Sequence, residues 1–148
     1  MNIMYLASIL SLSLLITSCS SAPPLQLGET LQGTLQPCPA SPNCVSSSSL
    51  GMNYIPPISD AGANNSLLKL SLCLKQMENV KIIESNNMYL HAEFKSTVFG
   101  FIDDVELLRQ GNLIHVRSAS RVGYSDFGVN RDRMIWLKRH FIEGCSAL

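Results

Sequence analysis

Residues 99–133 read FGFIDDVELLRQGNLIHVRSASRVGYSDFGVNRDR, and this stretch decides how the chain folds. Apolar and polar residues alternate on both sides of residues 109–112, as is typical of strands with one buried face. Gly111 followed by Asn112 predicts a turn between the two runs, because both residue types tolerate positive φ. The residues expected on the apolar face are Phe99, Phe101, Val105, Leu107, Ile114 and Val116.

The expected register of this hairpin places the turn at Gln110-Gly111. A slip of one residue would turn Arg117 toward the apolar face, so the alternation itself opposes that slip. The resulting cross-strand pairs are Leu107–Ile114, Val105–Val116, Asp104–Arg117, Glu106–His115 and Asp103–Ser118. A turn at residues 97–98 would in addition pair Phe94 with Phe101 and Ala92 with Asp103.

Asp103 is the exception on the apolar face, where its neighbours are Phe, Val and Leu. A buried carboxylate is strongly destabilising unless a charged or hydrogen-bonding group meets it. Residues 117–133 supply arginines and serines close by in the sequence. We therefore expect Asp103 to be held by an arginine and hydroxyl groups from that segment.

The flanking segments complete the fold. Residues 66–78 carry leucines and a methionine at helical spacing, which predicts a helix, and residues 80–84 and 88–95 are expected to form two strands. Asn130 is expected to cap a second helix that ends at Gly144. This order predicts an α+β domain, an antiparallel four-strand meander with two helices packed on one face.

The N-terminus carries a targeting signal. Residues 1–18 are apolar but too short to span a bilayer as a helix, which takes about 20 residues, so they are expected to be a signal peptide. The ending Leu15-Ile16-Thr17-Ser18-Cys19 resembles a bacterial lipobox. The resemblance implies cleavage before Cys19 and acylation of that residue, including palmitate. An uncleaved anchor helix and an ordinary signal peptide are the alternatives.

These signals predict a lipidated tether over residues 19–36 and a single domain over residues 37–148. Ser20 follows the cysteine, and by resemblance to bacterial sorting patterns this favours the periplasmic face of the outer membrane. Eleven basic and eleven acidic residues balance, which argues against a nucleic-acid partner. The expected partners are the membrane, through Cys19, and an envelope component or another protein.

The remaining cysteines point to an oxidising compartment. Cys38 and Cys44 enclose a short, proline-rich loop, and we expect them to form a disulfide. Cys73 and Cys145 are then left and are able to pair. The spacing of Cys38 and Cys44 fits neither a zinc knuckle nor a C-x-x-C redox motif, and no cofactor is expected.

Three segments, GFIDDVE (100–106), RSASRVGYSDFGVNRDR (117–133) and PCPASPNCVSS (37–47), resemble the DUF1499 family, a domain of unknown function. The resemblance extends from about Leu35 to the C-terminus. It implies a small envelope or organelle-lumen domain with no established activity. Members tend to carry an acidic residue soon after the second of these segments, where this chain has Ile135.

Arginines, hydroxyl groups and a helix N-terminus in this region suit a carboxylate or phosphate ligand. The candidate ligand-binding residues are Asp103, Asp104, Arg117, Ser118, Ser120, Arg121, Tyr124, Asp126, Asn130, Arg131 and Arg133. The competing interpretation is structural. In it, the arginines neutralise carboxylates of the fold itself, including Glu106.

Two further functions are weighed. Ser118, Asp103 and either His91 or His115 are the residue types of a hydrolase triad, but the expected pleat separates the serine from both histidines. A metal site could use the outward-facing His91, Asp104, Glu106 and His115, although such a face is more often solvated. The sequence therefore favours a binding or structural module over an enzyme, with no catalytic residue or metal ligand assigned.

Overall fold

The computed structural model describes residues 27–28, 30, 32–60 and 65–143, which contain six strands and two α-helices. The strands are β1 Cys44–Ser46, β2 Ile58–Ser59, β3 Val80–Ser85, β4 Tyr89–Lys95, β5 Ile102–Gln110 and β6 Leu113–Ser120; the helices are α1 Ser66–Leu74 and α2 Val129–Glu143. No helix in this part of the chain has the length and hydrophobicity needed to cross a bilayer. The expected signal peptide, Cys19 and Cys145 lie outside the described residues.

The strands form one antiparallel sheet in the order β1-β6-β5-β4-β3, and β2 also pairs with β6. Strands β3 to β6 are the predicted meander, and the α+β class is confirmed. Strands β1 and β2 were not among the strands predicted from the sequence. They are too short to display alternation, and they form because β6 would otherwise leave an unpaired edge.

Both helices pack on the same face of the sheet and bury one apolar core with it. The core includes Leu67, Leu70 and Leu74 of α1, Met134 and Leu137 of α2, and Leu90, Ala92, Phe94, Val105, Leu107, Ile114 and Val116 of the sheet. Each fully buried leucine stabilises the fold by roughly 1.5–3 kcal/mol. Helix α1 ends at Leu74 rather than at residue 78, because the chain then turns through residues 75–79 to enter β3.

Both expected registers are wrong by two residues. The turn lies at Gly111-Asn112, where the glycine has a φ of +59°. The observed pairs include Leu107–Val116, Val105–Ser118, Glu106–Arg117 and Asp103–Ser120 in the first hairpin, and Phe94–Asp103 and Ala92–Val105 in the second. A shift by two residues keeps each side chain on the same face, so alternation alone does not distinguish the two registers.

The face of the sheet opposite the helices is covered as well. Leu35 is completely buried, the Gly28 amide donates to Glu106 Oε1 at 2.6 Å, and the Gln110 side-chain amide donates to the Gly33 carbonyl. The packed part of the chain therefore begins before the expected boundary at residue 37. The burial of Leu35 depends on the surface that it meets, which its neighbours in the sequence do not specify.

A disulfide joins Cys38 to Cys44, with a Cα–Cα distance of 5.6 Å, and closes the loop that leads into β1. Cys44 is also the first residue of β1, where it pairs with Ala119 of β6. Cys73 is also disulfide-bonded.

Candidate functional site

Asp103 lies on the helix side of the sheet and is only 8% exposed. Arg133 of α2 donates to it, with 2.6 Å between Nη2 and Oδ2. Arg133 also donates to Ser118 Oγ at 3.0 Å and to Asn130 Oδ1 at 2.5 Å. The expected arginine is therefore present, and the hydroxyl group of Ser118 contacts that arginine rather than the carboxylate.

Asn130 is not the cap of the second helix, contrary to expectation. Its side chain is completely buried, donating to the Asn43 carbonyl at 2.9 Å and Ser120 Oγ at 3.0 Å, and accepting from Ser118 Oγ at 2.5 Å. Asp126 takes the capping role, because its carboxylate accepts the Asn130 backbone N–H at 2.7 Å. The amide of Asn130 thus ties the start of α2 to β6 and to the segment before β1.

A second group of polar residues lies on the opposite face, and we call it the ionic cluster. Its members are Tyr89, His91, Glu93, Asp104, Glu106, Arg117 and Arg121. Asp104 is completely buried and accepts from His91 Nε2 at 2.8 Å and from Arg121 Nε and Nη2, both at 2.8 Å. Burial raises the pKa of Asp104, but the hydrogen bonds from Arg121 and His91 outweigh it and hold that pKa below its usual range.

Glu106 is the second carboxylate of the ionic cluster with no exposed surface. It accepts from Arg117 Nη1 at 3.0 Å and from the Tyr89 hydroxyl at 2.7 Å. Burial raises the pKa of Tyr89, and the negative charge of Glu106 raises it further. Arg121 bridges Asp104 and Glu93, with 2.5 Å to Glu93 Oε1, and the hydrogen bond that it donates to Asp104 raises the pKa of the guanidinium.

On this face, Arg117 and His115 have partners other than those expected from the sequence. Arg117 pairs with Glu106 instead of Asp104, and His115 meets Ser47 Oγ, at 3.2 Å from its Nδ1, instead of Glu106. Both differences follow from the two-residue register shift. The face is also buried rather than solvated, because Gly28, Gly33 and Leu35 pack on it.

The candidate ligand-binding residues do not form one pocket. Asp103, Ser118, Ser120, Asn130 and Arg133 lie on the helix side, whereas Asp104, Arg117 and Arg121 lie in the ionic cluster. Arg131 donates to the carbonyls of Tyr54 and Met52, at 3.1 and 2.5 Å. Tyr124 is 76% exposed. Most of these arginines are thus engaged by carboxylates or carbonyls of the fold.

Neither alternative chemistry is assembled in the described residues. Ser118 is completely buried on the helix side and bonded to Asn130, while His91 lies on the other face beside Asp104. The carboxylates proposed for a metal are occupied by Arg117 and Arg121. No group of three or more His, Cys, Asp or Glu side chains within residues 27–28, 30, 32–60 and 65–143, where the chain is described, could hold a metal ion.

Sequence reasoning missed a group of exposed apolar side chains at one end of the sheet, which we call the apolar end. Its members are Val98, Phe99, Phe101, Val122, Tyr124 and Phe127. Phe99 and Phe101 were expected on the buried face of a strand, but β5 begins only at Ile102. Their rings stack on each other, with 5.5 Å between centroids. The signal available in the sequence was Gly100 between the two rings, which has a φ of +69°.

A family model described as "Protein of unknown function (DUF1499)" matches residues 34–141. The match contains β1 to β6, α1 and most of α2. No curated protein matches the chain, and no solved structure does. Because the matched region includes most of the chain and all of the segments that carried the resemblance, the protein belongs to the DUF1499 family.

Proposed function

We propose that the protein is a lipid-anchored, non-catalytic module of the bacterial cell envelope that binds a protein partner through its apolar end. The lipobox-like residues 15–19 support a lipid anchor, and Ser20 after the cysteine supports the outer membrane as its location. The disulfide between Cys38 and Cys44 supports an oxidising compartment such as the periplasm. Attachment through the lipid leaves the domain free to contact a partner.

The ionic cluster and the network around Asn130 serve as a rigid base in this proposal. The Arg121 amide donates to the Ile102 carbonyl at 3.1 Å, and its side chain binds Asp104 and Glu93. One residue therefore clamps the points at which the β4–β5 and β6–α2 loops leave the sheet. Buried ion pairs of this kind restrict the geometry of what they hold.

The exposure of the apolar end is the observation that carries the binding role. Phe127 is 97% exposed and Phe99 is 75% exposed, although burial of such rings is favourable. Phe127 also has a φ of +55°, which is costly for a bulky residue, and the side chains of Ser125 and Asp126 brace the turn around it. A loop that holds a ring in solvent, although this conformation destabilises the fold, is typical of a contact surface.

Charge favours a protein partner over a polyanion or an anionic bilayer. The chain has no net charge, and the arginines nearest the apolar end are paired with carboxylates within the domain. Aromatic residues are enriched at the centres of protein interfaces. A partner with an apolar recess would complete the burial of these rings.

Photo-crosslinking in cells tests the proposal. A photoreactive phenylalanine analogue replaces Tyr124 or Phe127, and in a matched control it replaces Met88, which is exposed in the β3–β4 turn at the other end of the sheet. We expect a discrete protein adduct from positions 124 and 127 and none from position 88. Equal labelling from all three positions, or adducts with lipid alone, would contradict a protein partner at this end.

Lipid attachment is tested separately. Cells are fed an alkyne analogue of palmitate, and the protein and its Cys19→Ser variant are compared by labelling and by membrane fractionation. We expect labelling and membrane retention that both depend on Cys19. An unmodified Cys19 peptide in mass spectrometry would refute the anchor without bearing on the apolar end.

A further inference from the structure

A groove of about 340 Å³ lies between α2, β6 and the segment that leads into β2. Its lining includes the apolar side chains of Ile55, Ile58, Val116 and Met134, each at most 7% exposed. Ile135, which is half exposed, forms part of its edge. The groove is separate from the apolar end, which lies on the two loops at the end of the sheet.

Two cations flank the edge of this groove. Arg131, Ile135 and Lys138 follow one another at helical spacing on α2, so they share a face of the helix. Arg131 donates to two main-chain carbonyls, which leave its charge uncompensated. Within the described part of the chain, no carboxylate forms an ion pair with Arg131 or Lys138.

The other buried or half-buried arginines within the described part of the chain differ in this respect. Arg109, Arg117, Arg121 and Arg133 each pair with a carboxylate of the domain. The positive charge at the groove therefore has no counterpart inside the fold. An anion seated there would be attracted by both side chains, while its apolar portion would cover the walls of the groove.

We propose that this groove binds an anionic amphiphile, a single alkyl chain that ends in a carboxylate or a phosphate. The chain lies over Ile58, Val116 and Met134 at the floor of the groove and against the half-exposed side chain of Ile135, and the head group meets Lys138 and Arg131. Ligand pockets typically measure about 300–1,000 Å³, so the volume of this groove suits one chain rather than a lipid with two. This site does not depend on the apolar end or on acylation of Cys19.

Photolabelling of membranes that contain the full-length protein tests the site. The probes are dodecanoic acid and dodecyl phosphate, each carrying a diazirine and an alkyne on the chain, and a trimethylammonium probe of the same chain length. Peptide mapping then separates labelling of residues 55–58 and 134–135 from labelling of the N-terminal segment. We expect one or both anionic probes to label the groove and the cationic probe to leave it unlabelled. The stronger anionic probe identifies the head group.

The decisive variant is Lys138→Glu, with Arg139→Glu as its matched control, because Arg139 is exposed on the same helix and undergoes the same change of charge. We expect Lys138→Glu to lower anionic labelling of the groove by about tenfold, the size of effect given by reversing one surface charge beside an anion. Arg139→Glu should retain it. Equal labelling by the anionic and cationic probes, or equal losses in the two variants, would overturn the proposal.

Discussion

The ionic cluster and the apolar end reverse the usual distribution of residue types. In the cluster, Asp104 and Glu106 have no exposed surface, whereas at the apolar end Phe99 and Phe127 are largely exposed. Phe99 lies only a few residues before Asp104 in the chain. Charged residues are common at surfaces and aromatic residues in cores, so each region needs a reason of its own.

The difference indicates that the ionic cluster stabilises the fold and that the apolar end serves binding. Every carboxylate of the ionic cluster has an arginine partner, so the cluster stabilises one geometry and leaves little capacity for a ligand. The rings of the apolar end are held by few contacts and contribute little to the fold. Substitutions in the first region should therefore change stability, and those in the second should change only binding.

Removal of the Asp104 charge is expected to have the largest effect. Asp104→Asn leaves Arg121 and His91 without their buried anion, and loss of one partner of a buried pair costs about 3–5 kcal/mol. Urea unfolding, followed by fluorescence of Trp136 in α2, measures the change. Glu93→Gln is the matched control, because its side chain is 18% exposed, and it should cost less than about 1 kcal/mol. Equal losses of unfolding free energy in the two variants would mean that burial does not determine how much each carboxylate contributes to stability.

Arg133→Met tests the ion pair between Arg133 and Asp103 on the helix side. Asp103 would lose its partner while keeping slight contact with water, which should cost about 1–3 kcal/mol. The double variant Arg133→Met with Asp103→Leu should recover most of that loss in the same unfolding measurement. If the double variant is as unstable as the single one, the arginine stabilises the protein through Ser118, Asn130 or the Phe94 ring, 5.0 Å away, and not through Asp103.

A weaker effect should appear in acid. The pKa of Asp104 is lower in the folded protein than its ordinary value of 3.8, so the stability it contributes is present above that pH and is lost as the pH falls below it. Asp104→Asn should therefore show a shallower loss of unfolding free energy below pH 3.8 than the unsubstituted protein. If the unfolding free energies of the two proteins fall equally steeply below pH 3.8, other carboxylates determine the loss of stability in acid.

The smallest effect belongs to the apolar end. Phe127→Gly relieves the positive φ and removes a ring that contacts little, so we expect stability to change by no more than about 1 kcal/mol and to rise rather than fall. Thermal unfolding measures the change in stability, and the photo-crosslink from position 124 measures binding. A large loss of stability would show that Phe127 packs in the fold and would remove the contrast between the two regions.

Much of the fold could be predicted because its determinants are local. Alternation in residues 102–120 assigns each side chain to a face of the sheet, and the leucines of residues 67–74 mark the apolar side of α1. Asp103 was recognisable as an acid on the apolar face, and an arginine partner followed from the cost of burying it. Each of these inferences depends only on neighbours along the chain.

The pairing within the site could not be predicted. The spacing of charges on β5 and β6 is compatible with Arg117 beside Asp104 or beside Glu106, and only the position of the turn at Gly111-Asn112 selects the second. Burial of Asp104 and Glu106 depends on Gly28 and Leu35, which are distant from β5 in the sequence. A polar strand face looks the same in a sequence whether water or another segment covers it.

The sequence by itself determined the family, the α+β class, and the faces on which Asp103 and Asp104 lie, because strand periodicity and helical spacing are properties of adjacent residues. Only the tertiary structure decided which arginine neutralises which acid, and that the rings of Phe99 and Phe127 point away from the core. Those outcomes depend on segments far apart in the chain meeting in space, and a side-chain pattern of period two specifies a face without specifying the partner across it.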